Sequence, residues 1–118
     1  MIDKSIYLKL AENLYTDELI VKASKIELLA FDVDGVLTDG GLYFDHDGQE
    51  SKRFHAQDGH GIKILQSIDV EIMIISGRSS KCVQQRGDEL GINRIVQGSR
   101  DKLKSFHDQI TMILHLFL

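Results

Sequence analysis

The sequence predicts an α/β domain built on a parallel sheet. Two observations carry that prediction. Short apolar runs alternate with segments of helical periodicity, the pattern of strands joined by crossover helices. Polar residues with chemical potential, Asp32 and Asp34 after one run and Ser76 at the end of another, sit where the strands of an open α/β sheet present their carboxyl ends to a ligand.

The elements follow in order. Residues 2–24 read as one helix, with Ile6, Leu10, Leu14 and Ile20 toward one face. A strand at about 26–33 contains Leu28-Leu29-Ala30-Phe31, a run expected to be buried on both faces. The segment 41–56 alternates in polarity and is broken by Asp47-Gly48, a hairpin turn signal. His55–Gly59 reads as a loop, and residues 60–68 as a helix with Ile62, Leu65 and Ile68 at helical spacing. Val70–Ser76 is a mostly apolar strand. Ser79 or Ser80 can cap a helix that runs to Leu90 and stops at Gly91. A short strand at 94–97 leads to a last helix that starts near Ser99 or Asp101 and reaches about residue 115. No repeat, low-complexity tract or linker divides the chain, so residues 1–118 read as a single domain.

Composition excludes several classes of function. The net charge of −4 gives no general basic surface for nucleic acid. No apolar run approaches the roughly 20 residues of a membrane helix. Asp3, Lys4, Lys9 and Glu12 interrupt the N-terminal apolar residues, unlike a secretory signal. The single cysteine, Cys82, allows no internal disulfide and suits a reducing, cytoplasmic compartment. It reads as a helix residue at least partly buried. Gly59-His60-Gly61 is not a dinucleotide fingerprint, because Ile64 stands where a third glycine belongs. His55 and His60 have no zinc spacing, and His46, His107 and His115 read as surface residues.

The chemistry is concentrated in Phe31-Asp32-Val33-Asp34-Gly35-Val36-Leu37-Thr38. On a strand, residues two apart face the same way, so Asp32 and Asp34 are expected to share one pocket. One carboxylate can attack a phosphate ester and form an acyl-phosphate. The other can protonate the leaving alkoxide and then take a proton from the attacking water. Two carboxylates repel a phosphate unless a hard, oxygen-seeking cation such as Mg²⁺ lies between them. Gly35 permits a sharp turn. The Ser76 hydroxyl and the N–H groups around Gly77, ahead of a helix N-terminus, can hold phosphoryl oxygens. Lys102 opens the last helix, where a cation is slightly unfavourable for the helix dipole, so it suits a role outside the helix; Lys104 is its nearest competitor.

Together the run 31–38, Gly40-Gly41-Leu42-Tyr43-Phe44, Phe54 to Gly61, Ile75-Ser76-Gly77-Arg78 and Gln97-Gly98 with Lys102 resemble the haloacid dehalogenase-like phosphatases. The subgroup most similar acts on eight-carbon keto-sugar acid phosphates, with nine-carbon nonulosonate 9-phosphates as the close alternative. The resemblance covers roughly residues 20–108 and implies a Rossmann-like sheet, capless with a β-hairpin insertion, and a Mg²⁺-dependent phosphomonoesterase of lipopolysaccharide sugar synthesis. Asp32 is then nucleophile and metal ligand, Asp34 acid/base and a ligand through its carbonyl, and Ser76, Gly77 and Lys102 bind the phosphoryl group. His55, Ala56, Gln57, Asp58, Gly59 and Lys63 are implied to line the substrate site; at Lys63 arginine is more usual. Arg78 and Arg86 are candidates to grip the substrate's carboxylate, because guanidinium groups pair bidentately with carboxylates.

Only about forty residues separate Asp34 from Ser76, too few for a cap domain. Similar proteins cover their sites by forming homotetramers through this hairpin, here with Leu42 and Phe44 as apolar contacts. The resemblance further implies a fourth motif, a strand ending in an acidic pair that completes the metal shell beside the first strand. No acidic residue follows Asp108, so the chain is expected to be incomplete at its C-terminus, with a frameshift near residue 111 as one route. A non-catalytic remnant is the rival expectation.

Overall fold

The computed structural model describes residues 4–117. Its elements are α1 (Lys4–Leu14), α2 (Asp17–Ser24), β1 (Leu28–Phe31), β2 (Tyr43–Phe44), β3 (Glu50–Ser51), α3 (Ala56–Ser67), β4 (Glu71–Ile75), α4 (Lys81–Glu89), β5 (Arg94–Val96) and α5 (Lys102–Phe117). The main sheet is parallel in the order β1-β4-β5, with Phe31 opposite Ile74 and Ile75 opposite Val96. A separate antiparallel hairpin pairs Tyr43 with Ser51 and Phe44 with Glu50. The expected α/β, Rossmann-like architecture is present.

β4 forms the centre of the core. Ile72, Met73, Ile74 and Ile75 are all buried, flanked by Val33, Ile62, Val83, Leu90 and Ile92. A central parallel strand is covered on both faces, so it reads as a continuous apolar run. β1 departs from that expectation. It ends the strand order, its Leu28, Leu29 and Phe31 are only half-buried, and Ala30 is exposed. Its apolar sequence reads like that of β4, and only its edge position distinguishes them.

The expected N-terminal helix is broken in two; residues 2 and 3 of that range lie outside the described residues. Thr16 is extended and its side chain accepts from the Leu19 N–H, so it caps α2 and ends the continuity of α1. Ile6, Leu10 and Leu14 are exposed rather than packed, and Ile20 is half-buried.

α3 starts four residues earlier than expected. The His55 ring accepts from the Gln57 N–H, so His55 is the cap and Ala56–Gly59 form the first turn rather than a loop. At α4, Ser80 occupies the cap position but its side chain makes no capping bond. Gln97 serves that end instead, accepting from the Ser80 N–H at 2.8 Å and donating to the Ser80 carbonyl at 3.1 Å. Asp101 accepts from the Lys104 N–H and starts α5. The hairpin turn is organised by the Asp45 carboxylate, which accepts from the Asp47 and Gln49 N–H groups. Thr38 bridges Phe54 and closes the base of the insertion.

Candidate active site

Asp32 directly follows β1, Ser76 follows β4 and Gln97 follows β5, so the parallel register brings three chemistry-bearing positions to one sheet edge. α5 delivers Lys102 to that edge, where its ammonium lies 2.9 Å from Asp32 Oδ1. The pair is open to solvent, with Lys102 and Asp32 side chains 49% and 40% exposed. Partial burial alone would raise the Asp32 carboxyl. The Lys102 hydrogen bond, the Val33 N–H and the lysine's charge outweigh it and hold the group below the ordinary carboxylate value. Asp32 is therefore kept ionised, the form a nucleophile needs.

Asp34 does not continue the strand. The chain turns through residues 34–37, with the Val36, Leu37 and Thr38 N–H groups all directed at the Val33 carbonyl. Gly35 has φ +79°, a left-handed conformation that a side chain would strain. The spacing expected of a strand thus does not apply, and the two carboxylates meet different lysines. Asp34 Oδ1 accepts from Lys52, a residue the sequence did not point to. The Lys52 side chain is fully buried and also donates to Glu50 Oε1 at 2.7 Å. Burial alone would lower the Lys52 ammonium, but the hydrogen bonds to Asp34 and Glu50 raise it above its ordinary value. Glu50 is held below its ordinary value by Lys52 and then by Arg78. Arg78 reaches Glu50 through Nε at 3.3 Å and Nη2 at 3.4 Å.

Ser76 is buried. Its N–H donates to the Val96 carbonyl, its carbonyl accepts from the Ser99 N–H, and its Oγ accepts from the Arg78 N–H at 3.3 Å. The hydroxyl is fixed at the head of the β4–α4 connection, and Gly77 beside it is exposed. Lys104, the competitor of Lys102, turns to Asp108 at 2.8 Å along α5.

Arg86 is not a solvated helix residue. It lies over the Phe54 ring, donates to the His55 carbonyl at 3.4 Å and pairs with Glu89 at 3.0 Å. Gly59 makes room for it, since a side chain there would collide with the guanidinium. His55, Asp58, Gly59 and Arg86 line one narrow seam with Leu37 and Phe54. Ala56 and Gln57 are exposed on the same helical turn. Within this chain Lys63 is not gathered with them: its ammonium lies against Gly91, beyond the C-terminal end of α4. A cavity of about 380 Å³ also lies at that end of the sheet, between Gln66, Asp69, Glu71, Gly91 and Asn93. It contains none of the predicted site residues.

Cys82 is half-buried on α4, as expected, and His46, His60, His107 and His115 are exposed. Among the described residues no group of three or more His, Cys, Asp or Glu is arranged to hold a metal, and no helix is long and apolar enough to cross a membrane.

An ionised aspartate after β1, a buried serine after β4 and a lysine at the start of α5, gathered at the carboxyl edge of a parallel sheet, resemble the haloacid dehalogenase-like arrangement. A Legionella pneumophila structure assigned to the HAD superfamily, subfamily III A, superposes with a TM-score of 0.78 at 36% identity, covering 92% of this chain and 57% of that one. More particularly, the chain is similar to 3-deoxy-D-manno-octulosonate 8-phosphate phosphatase. It is 40% identical over 97 residues to the Yersinia pestis protein of that name, covering 82% of this chain and 52% of that protein. The Moraxella catarrhalis structure, a complex with magnesium ion, phosphate ion and KDO, gives a TM-score of 0.79 at 40% identity over 84% of this chain and 57% of that one. The chain spans about half the length of the curated relatives it matches. No family model matches it.

Proposed function

We propose that this chain is a Mg²⁺-dependent phosphomonoesterase that hydrolyses 3-deoxy-D-manno-octulosonate 8-phosphate to the free sugar acid and phosphate. The observation that carries the reading is the open Asp32–Lys102 pair at the sheet's carboxyl edge, an ionised carboxylate beside a cation that a phosphoryl group can share. The similarity to phosphatases of that sugar acid favours the eight-carbon substrate over a nonulosonate 9-phosphate.

The Asp32 carboxylate attacks phosphorus as the ester P–O bond breaks, and Asp34 gives its proton to the departing alkoxide. Water then attacks the acyl-phosphate, loses a proton to Asp34 and releases phosphate, restoring Asp32. Lys102 and Ser76 hold the phosphoryl oxygens through both steps. Arg78 and Arg86, with the His55–Gly59 turn, face the sugar acid. The donors suit a hard cation: the Asp32 carboxylate and the Asp34 carbonyl would supply oxygen ligands, and Mg²⁺ typically takes one or two carboxylates with water and phosphate. When bound, such an ion offsets the charge between phosphate and carboxylates.

The reading extends to a cytoplasmic role in lipopolysaccharide synthesis, to residues 1–118 acting as one domain, and to a homotetramer formed through the 41–56 hairpin. Support for the last is local: Leu42, Tyr43 and Phe44 are 43%, 50% and 59% exposed on a two-stranded hairpin.

Phosphate release from the eight- and nine-carbon substrates with Mg²⁺, by the 118-residue chain and by Asp32→Asn, tests the proposal. Turnover of the eight-carbon substrate should fall on the order of 10³-fold or more in the variant. Equal rates would show that the chain does not catalyse the reaction through Asp32.

A further inference from the structure

We propose that Lys52, braced by Glu50, is a positioning residue that sets the Asp34 carboxyl for proton transfer; this rests on the phosphatase reading above. The Lys52 side chain is fully buried, so it is not placed to meet substrate itself. A buried ammonium is costly unless paired, and both of its carboxylate partners are at the site's edge. One partner is Asp34 Oδ1. The other, Glu50, has a side chain only 10% exposed and is held in turn by Arg78, whose own N–H donates to the buried Ser76 hydroxyl. β3 is thereby tied to the loop after β1 and to the loop after β4.

The backbone around Asp34 does not depend on this network. The Val33 carbonyl collects the Val36, Leu37 and Thr38 N–H groups, and Thr38 Oγ1 accepts from the Gly35 and Gly40 N–H groups. What Lys52 adds is control of the side chain. Glu50 keeps the ammonium paired when Asp34 takes up a proton on Oδ2, and with Oδ1 engaged by Lys52 that proton passes from Oδ2 to the departing alkoxide oxygen while the P–O bond breaks and the Asp32–phosphorus bond forms. The hairpin, in addition to any packing role, is then a buttress for the acid/base group.

Leaving-group dependence separates this role from a structural one. An alkyl phosphate needs its leaving oxygen protonated, whereas p-nitrophenolate departs without a proton. With Mg²⁺, Lys52→Met should lower kcat/KM for the sugar-acid alkyl phosphate about a hundredfold and for p-nitrophenyl phosphate only about threefold, as should Asp34→Asn. Lys52→Arg should restore most of the ratio. The ratio of the two rates does not depend on how much of a variant is folded. A second readout needs neither metal nor turnover: the three-bond couplings across the Asp34 Cα–Cβ bond should report one rotamer in the wild type and in Lys52→Arg, and averaging in Lys52→Met. Equal losses on both substrates, or an averaged Asp34 in the wild type, would overturn the inference. Wild-type rates equal to those of Asp32→Asn on both substrates would overturn the phosphatase reading instead, and the couplings would still decide whether Lys52 fixes Asp34.

Discussion

The two aspartates two residues apart sit in opposite kinds of ion pair. Asp32 meets Lys102 in the open, with both side chains more than a third exposed, whereas Asp34 meets a lysine whose side chain has no exposed surface. An open pair costs little to separate, so its lysine can turn to an incoming phosphoryl group. A closed pair leaves an uncompensated charge when broken, so it holds geometry rather than exchanging partners. The site divides accordingly into a half that binds and a half that braces.

Substitution at each lysine should therefore break different properties. Lys102→Met is expected to lower kcat/KM about 10²–10³-fold, the loss typical of one oxyanion-stabilising donor, with little change in thermal stability. Lys52→Met should do the reverse in stability, costing about 3 kcal/mol in denaturant unfolding because Asp34 stays behind unpaired and Glu50 keeps only Arg78. A similar stability loss in both variants would erase the distinction.

Acid unfolding sharpens the closed half. Glu50 is held below its ordinary value by Lys52 and Arg78. A depressed carboxyl contributes stability that is fully present above its unfolded value of 4.5 and is lost as pH falls through the lower folded value. Glu50→Gln should flatten the dependence of stability on pH below about 4.5, where the wild type declines. The smallest effect belongs to Lys104→Met. That lysine pairs with Asp108 on the exposed face of α5, so activity and melting temperature should both stay at wild-type values.

Legibility in the sequence followed the same division. Asp32, Ser76 and Lys102 each sit directly at the end of a strand or the start of a helix, and local pattern locates such boundaries. β4 was equally legible, since a run of apolar residues this dense has few alternatives to a central strand. Lys52 and Glu50 were not, because charged residues two apart on a hairpin strand ordinarily read as a solvated face. Their burial arises from contacts with Asp34, 18 residues away, and Arg78, 28 residues away. Alternation of Glu50, in β3, and Lys52, directly after it, toward one side of the hairpin was the available signal. The break at Thr16 was legible in principle, since a threonine followed by Asp17 and Glu18 reads as an N-cap with an acidic first turn. The early start of α3 was masked by Gly59 and Gly61, poor helix formers, of which Gly59 is present to admit Arg86. The half-exposed state of β1 depends on sheet order, which no local pattern encodes.

Trapping the covalent intermediate tests the nucleophile directly. The 118-residue chain, turning over substrate with Mg²⁺, is quenched with borohydride, which reduces an aspartyl-phosphate to homoserine, and the digested protein is sequenced by mass spectrometry. Homoserine at position 32, absent without substrate, is the expected result. Turnover with an unmodified Asp32, or reduction at Asp34 instead, would contradict the assignment of Asp32 as the attacking group.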